Sequence, residues 1–416
     1  MSNFVVTDRV EGELAAVIRS LAVDKVFVLV DENTAEHCLP ILRHETRDTR
    51  CETRDTRCET RDTRCETRDV RCETRDERRE TRDERREMRD ERREMRDVRH
   101  ETRDARCEMR DEKCVMEDAK VIIIKAGDEV KTIDTAVAIW GELVDSGATR
   151  SSLLVNVGGG VVTDLGGFVA ATFKRGMRFV NVPTTLLGVV DAATGGKTGI
   201  NFRGLKNEIG AFANPEKVLI DTHFFETLDF RNRLSGYAEM VKHALIADPI
   251  LLEQTLAYDL DKFDMSRLAI LLKQNLQIKE SIVAVDLNET GVRKALNFGH
   301  TVGHAFESLS YELNSPMLHG FAVMWGMVAE LYLSFLKLKL DKKLVSKILA
   351  FAKEYYGAFP YTCKQYDRLY ELMMHDKKNS GGQINFTLLA GVGDVRINQN
   401  VTKEEVFEAL DFIREN

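Results

Sequence analysis

This chain of 416 residues predicts two architectures in succession, alternating strands and helices and then helices alone. Three stretches carry that reading. "SSLLVNVGGGVVTDLGGFVAATFKRG", from Ser151, is an apolar strand run, a glycine turn and a helical pattern. "RFVNVPTT", from Arg178, is a second apolar run that stops at a proline and two hydroxyls. From about residue 229 onward apolar residues recur at helical spacing. Strand–helix alternation predicts a parallel sheet of the dinucleotide-binding type, and the later pattern predicts an all-α domain. The length suits two domains.

Taken in order, residues 25–31 form a buried-type strand and "ENTAEHCLPILR" a helix. Residues 120–126 are a second strand. Residues 132–146 are an amphipathic helix ended by Gly147, a good cap residue. The glycine-turn segment and "RFVNVPTT" follow. A long polar loop then carries Asp191, Lys197, Lys206 and Asn207. The helices are "RLSGYAEMVKHALIAD", "MSRLAILLKQNLQIKESIVAVD", "VRKALNFGHTVGHAFESLS" and "HGFAVMWGMVAELYLSFLKLK". One β-like piece, "QINFTLLAGVGDVRI", and a last helix, "TKEEVFEALDFIREN", close the chain.

Residues 45–114 interrupt this pattern with heptads that begin "ETRDTRC" and drift to "EMRDEKC". Thr or Met at the second position and Thr, Val, Ala or Glu at the fifth have coiled-coil spacing, but the seam is too polar to bury much. Asp meets Glu, and Arg meets Arg, at i,i+4, which disfavours a lone helix. Such composition cannot build a core, so a low-complexity insertion without part in the chemistry is the expected reading. An interaction arm is the first alternative, and thiol-dependent metal or redox binding the second. A loop insertion carries a small entropic penalty, so the surrounding fold can survive it.

The net charge of -8 and pI near 5.7 argue against a nucleic-acid or membrane-surface binder. No uninterrupted apolar run reaches the ~18 residues of a membrane span. The start, "MSNFVVTDRVEGEL", lacks the features of a signal peptide. Of the 8 cysteines, Cys51, Cys58, Cys65, Cys72, Cys107 and Cys114 belong to the repeat, leaving Cys38 and Cys363. That is neither a disulfide framework nor zinc spacing. A cytoplasmic protein is expected.

Two places suggest chemistry. "GGGVVTDLGG" is not a GxGxxG fingerprint, but its glycines would let backbone N–H groups and a helix N-terminus approach a pyrophosphate. A plain tight turn would look the same. Thr184 and Thr185 stand at the carboxyl end of a strand, where open α/β sheets bind ligands, and the loop's Lys, Asp and Asn suit an anionic polyol or phosphate. In the helical half, His300 and His304 share a face, His319 follows, and Glu239 lies on an earlier helix. A carboxylate with two or three imidazoles suits an open zinc site. Spacing alone leaves open which histidines bind, and packed histidines remain the bland alternative.

Outside 45–114 the chain resembles the 3-dehydroquinate synthase family of the sugar phosphate cyclases. The motifs are "GGGVVTDLGGFVAATFKRG", "VPTTLLGVVDAATGGKTGIN", "LKNEIGAF", "GYAEMVKHAL", and "RKALNFGHTVGHAFE" followed by "LHG". The resemblance implies a Rossmann-like NAD-binding α/β domain (1–44 and 115–229), a helical metal- and substrate-binding domain (230–416), a Zn or Co ion and a homodimer. It puts the metal on Glu239, His300 and His319, and gives His304 a catalytic place near the substrate phosphate. It implies cofactor contacts at Asp31, Asp128, Lys131, Gly159, Gly160, Asp164, Thr184, Thr185, Phe224 and Thr227, with Lys197 and Lys206 shared with substrate. Substrate contacts fall on Arg175, Asp191, Lys197, Lys206, Asn207, Lys242, Lys279, Arg293, Asn297 and one lysine of "HDKKN", Lys378 rather than Lys377. Asp128 stands where the family often has Glu. The implied reaction takes 3-deoxy-arabino-heptulosonate 7-phosphate to 3-dehydroquinate and phosphate by oxidation, β-elimination, reduction and aldol closure.

A sister cyclase of the same fold would act on a substrate without a carboxylate, and Lys279 and Arg293 favour a carboxylated one. A metal-dependent polyol dehydrogenase would accumulate NADH. An inactive scaffold using its heptad arm for assembly is the alternative from another class.

Overall fold

The computed structural model describes residues 3–43, 118–203, 205–374 and 384–416. The heptads and Lys378 lie outside the described residues. Met1–Leu39 and Lys120–Asn416 form one compact unit, and Pro40–Ala119 forms a second, nearly all of it outside the described residues.

The first half of the larger unit is a six-stranded sheet. Its strands are β1 (Phe4–Thr7), β2 (Val26–Asp31), β3 (Lys120–Ile124), β4 (Leu153–Gly158), β5 (Arg178–Pro183) and β8 (Val218–Asp221). They lie in the order β1-β8-β5-β4-β2-β3, and every pairing is parallel. Apolar runs such as "VFVLVD" of β2 suit strands covered on both faces. Between the strands run α1 (Val10–Leu21), α2 (Glu32–His37), α3 (Ile133–Asp145) and α4 (Gly160–Thr172). One sheet face packs Phe27, Leu29 and Leu154 against Ile139 and Leu143 of α3 and Leu165 and Phe168 of α4. The connections reverse direction between β2 and β4, which makes the carboxyl edge there the ligand crevice expected of such a sheet.

The polar loop after β5 is more structured than its sequence suggests. Gly188–Ala192 is a π-helical turn. Then β6 (Lys197–Phe202) and β7 (Leu205–Phe212) pair as an antiparallel hairpin, Ile200 opposite Ile209. Nearly all of β7 is exposed, so the hairpin has no buried face with a period of two to betray it. Ile200, fully buried against α4, is its anchor.

The second half is built from α5 (Phe230–Ala247), α6 (Pro249–Leu256), α7 (Met265–Val285), α8 (His300–Glu312), α9 (His319–Leu338), α10 (Lys342–Tyr355), α11 (Tyr366–Met374) and α12 (Lys403–Glu415). The β-like piece is a hairpin of β9 (Asn385–Gly391) and β10 (Asp394–Asn400). Helix α9 is central and touches α5, α8, α10, α12 and β9. Among described helices it alone is long and apolar enough to cross a bilayer (20 residues, mean hydropathy 1.4), but 72% of that window is buried in the protein.

Glycine sets the approach of α8 to α9. A Cβ on Gly326 would lie 2.0 Å from the Gly299 carbonyl oxygen and 2.7 Å from the Gly303 nitrogen, so the two backbones meet there directly. Gly299 itself has φ +79, a conformation that costs other residues free energy. Gly326→Ala should therefore force the helices apart and lower stability by about 1–3 kcal/mol. A urea midpoint equal to that of the parent chain would show that the contact is softer than this.

Candidate active site

Three elements converge on Glu239. It lies on α5, whose first turn is capped by Asp229 accepting from the Asn232 N–H at 3.0 Å. Both Glu239 and Lys242, one turn on, are buried, and the Lys242 ammonium pairs with Oε2 of Glu239. That leaves Oε1 facing His300 Nε2 at 3.5 Å and His319 Nε2 at 3.8 Å. His300 opens α8 and His319 opens α9. Donor atoms of these three residues all lie within 4.8 Å of one another.

The donor set suits a divalent metal. Glu239 Oε1 and His319 Nε2 are buried and make no hydrogen bond, a costly arrangement that a shared cation would relieve. The outer ring nitrogens are already fixed. His300 Nδ1 lies 3.1 Å from the Phe298 carbonyl, and His319 Nδ1 lies 3.1 Å from Glu307 Oε2. Such outer bonds select the tautomer that leaves Nε2 free for a metal. The His304 ring stands against both, its centroid 5.2 Å from that of His300 and 5.9 Å from that of His319. Geometry thus separates the histidines that spacing could not, with His300 and His319 in the carboxylate set and His304 beside it.

Charged groups ring this centre. Lys279 Nζ donates to the Val190 carbonyl at 3.1 Å, to the Asp191 carbonyl, and reaches Asp191 Oδ1 at 3.2 Å. Burial would raise the Asp191 pKa, but Lys279 and Lys242 hold it well below the usual carboxylate range. Burial pushes the Lys279 ammonium down, against the pull of Asp191. Arg293 donates to the Leu287 carbonyl at 2.6 Å and the Gly195 carbonyl at 3.0 Å. Glu289 joins Lys197 to Asn297, accepting from Asn297 Nδ2 at 2.6 Å.

A second cluster joins the sheet to the hairpin. Lys131, buried, reaches Asp164 Oδ2 at 2.6 Å and also Asn207 Oδ1. Burial raises the Asp164 pKa, with Lys131 opposing. Lys206 lies 3.6 Å from Asp128 and 2.7 Å from Glu307. The remaining sheet residues line its carboxyl edge. Asp31 ends β2 and caps α2 through the Thr34 N–H at 2.8 Å. Gly159 and Gly160 make the turn after β4, where a Cβ on Gly159 would lie 3.1 Å from Thr185. Thr184 donates its N–H to the Gly158 carbonyl at 3.0 Å, and Thr185 accepts from the Gly188 N–H at 3.0 Å. Phe224 is buried just past β8, and the Thr227 hydroxyl donates to its carbonyl at 3.4 Å. Arg175 is not drawn in: it sits in an exposed turn with φ 65 and makes no ion pair with a described residue.

The family model of the 3-dehydroquinate synthase N-terminal region matches residues 121–235, and that of the C-terminal region matches 236–379. The chain belongs to the 3-dehydroquinate synthase family. A 3-dehydroquinate synthase of Parabacteroides distasonis is 55% identical over 296 residues, covering 71% of this chain and 84% of that one. One of Pyrococcus abyssi is 40% identical over 301 residues, covering 70% and 85%. Among solved structures, the 2-epi-5-epi-valiolone synthase of Streptomyces hygroscopicus with NAD+ and Zn2+ bound is 22% identical. It has a TM-score of 0.70 and covers 100% of this chain and 97% of that one. A 2-deoxy-scyllo-inosose synthase complexed with carbaglucose-6-phosphate, NAD+ and Co2+ has a TM-score of 0.62 at 24% identity, covering 72% and 83%. These two share the fold.

Within the 3-dehydroquinate synthase fold, sequence reading passed over the residues that hold the site residues in place. Glu307 is the clearest. It is the last residue of "GHTVGHAFE", two turns past His300, and it bridges His319 to Lys206. Its spacing was visible, but its partner on the hairpin was not. Burial would raise the Glu307 pKa, but the His319 hydrogen bond and charge, with Lys206, hold it well below the usual carboxylate range. A depressed carboxylate stabilises the fold fully above its unfolded pKa, and the effect is lost as pH falls. In metal-free protein Glu307→Gln removes the buried carboxylate that joins His319 to Lys206 and should lower stability at pH 7 by about 1–3 kcal/mol. A urea midpoint at pH 7 equal to the parent's would contradict this.

Proposed function

We propose that the chain is a 3-dehydroquinate synthase, a lyase of the shikimate pathway that converts 3-deoxy-arabino-heptulosonate 7-phosphate to 3-dehydroquinate and phosphate. Family membership at 55% identity carries the reading. The convergence of Glu239, His300 and His319 beside two clusters of cationic side chains supports it. When bound, a Zn or Co ion on these three residues supplies Lewis-acid polarisation of adjacent substrate oxygens, and NAD at the sheet edge accepts and returns a hydride.

The chain's own residues do the positioning. Lys242 fixes the rotamer of Glu239 and leaves one oxygen for the ion. Lys279 and Arg293 hold positive charge near Asp191 and take the substrate carboxylate. Asn297 and Lys197, tied through Glu289, take hydroxyls. His304, Lys206 and Asn207, with Lys378, receive the phosphate. Gly159 and Gly160 present N–H groups at the start of α4 to the NAD pyrophosphate, beside Thr184 and Thr185. Asp31, Asp128, Lys131, Asp164, Phe224 and Thr227 complete that site. The enzyme works as a cytoplasmic homodimer without a nucleic-acid or membrane partner.

The decisive assay follows phosphate and the NADH band together. Phosphate should reach many equivalents of enzyme while NADH stays below one, and chelation should stop both. Stoichiometric NADH would instead mark a dehydrogenase. Preference for sedoheptulose 7-phosphate over the carboxylated substrate would mark a sister cyclase.

The heptads 45–114 are an insertion outside this chemistry. The family matches begin only at residue 121, beyond them. Deleting 45–114 should leave NAD affinity and turnover within about twofold, since closing a loop depends weakly on its length. Loss of NAD binding in the shortened chain, by fluorescence titration, would make the repeat part of the cofactor site.

A further inference from the structure

Glu330 is a fully buried carboxylate that the proposed reaction does not use. It lies on α9, about three helical turns beyond His319. Its side chain leaves its own helix and accepts from the backbone of α8: the Gly299 N–H at 2.6 Å, the Thr301 N–H at 3.1 Å and the Val302 N–H at 3.4 Å. The residue before α8, Gly299, has no side chain with which to cap it. The N–H groups that begin a helix have no partner within it, and a negative charge there also meets the positive end of the helix dipole. Glu330 thus caps α8 from a neighbouring helix. His300 is the first residue of the turn it caps.

The same face of α9 carries Gly326, one turn earlier, where the two backbones come closest. One residue permits the approach and the other fixes it. The consequence reaches the metal centre because each of these helices begins with one of its histidines.

We infer that Glu330 is a positioning residue. Its carboxylate locks the start of α8 to α9 and so holds His300 Nε2 in place relative to His319 Nε2. This rests on the reading of Glu239, His300 and His319 as the metal-holding set. Removing an outer support of this kind weakens a metal site by about 10–100-fold.

The test uses the full chain, stripped of metal and titrated with Co2+ while its visible absorption is recorded. Two variants of Glu330 are compared with the parent. Glu330→Gln keeps the shape but not the charge, and Glu330→Asp keeps the charge but falls short of α8. Asp341→Ala serves as a stability control. It removes the cap of α10, where Asp341 accepts from the Lys343 N–H at 2.9 Å, and α10 carries no site residue. Each folded Glu330 variant should bind Co2+ at least ~10-fold more weakly, with an altered visible band. Amides at the start of α8 should exchange hydrogen faster even without metal. Asp341→Ala should lose stability but keep the parent's Co2+ affinity and spectrum. Parent-like affinity and spectrum in either Glu330 variant would overturn the inference, provided Glu239→Ala binds Co2+ poorly. If Glu239→Ala titrates like the parent, the metal reading itself fails and the inference falls with it.

Discussion

Everything at the centre of this molecule depends on how it buries charge. An ion taken from water into a protein interior loses several kcal/mol unless its hydrogen-bonding capacity is met. Here Glu239, Lys242, Lys279, Arg293, Glu307 and Glu330 are all buried. Each is met locally: Lys242 by Glu239, Lys279 by Asp191, Arg293 by two backbone carbonyls, Glu307 by His319 and Lys206, and Glu330 by a helix terminus. Glu239 Oε1 and His319 Nε2, which face one another, have no hydrogen bond, and a cation between them would meet both. Removing one partner from such a pair leaves its neighbour's charge exposed to the low-dielectric interior, so effects of substitutions here will not add.

Polar side chains tie the sheet to the helices at two places. Asp191 sits on the π-helical turn after β5 and is gripped by Lys279 of α7. Lys206 of the β6–β7 hairpin is gripped by Glu307 of α8. Asp128 and Lys131 connect the same hairpin to the sheet side. The hairpin thus shares partners with both halves, while its own strand β7 buries almost nothing. Its other strand anchors it through Ile200, buried against α4, so polar contacts position the hairpin while one apolar residue holds it down.

How much the sequence reveals depends on which interactions are local. The strands ending at Asp31, Gly158 and Pro183 and the helix closed before Gly147 announce themselves through apolar runs and end signals, and the structure has them within a residue or two. The helical half is equally plain. The metal-type set was legible as residue types, but the choice among three histidines was not. It depends on how α8 lies along α9, which no spacing records. His243 makes the point in reverse. It too sits on α5 beside Lys242, but it is packed in the core, and burial pushes its pKa far down and keeps it neutral. The hairpin was missed because exposed strands lack alternation. Glu307 and Glu330 were missed because each acts on another element, Glu307 on the hairpin and on the start of α9, Glu330 on the start of α8.

On the proposal that the heptads are an insertion, their position in the chain bears on whether the fold would survive it. They enter between α2 and β3, and among the described strands β3 is at the sheet edge, paired with β2. An edge strand needs one partner in register. Here Phe27 through Asp31 pair residue by residue with Lys120 through Ile124. The interior strands β4 and β5, which carry the glycine turn and the two threonines, have both neighbours and no insertion between them. Asp31, the last residue of β2 and the sheet residue nearest the heptads on their amino-terminal side, caps α2 through Thr34, which sets its orientation locally. A long insertion at this point lengthens one crossover connection, whose closure entropy grows only with the logarithm of its length. The same insertion between β4 and α4 would have separated the glycine turn from the helix whose N-terminus it completes.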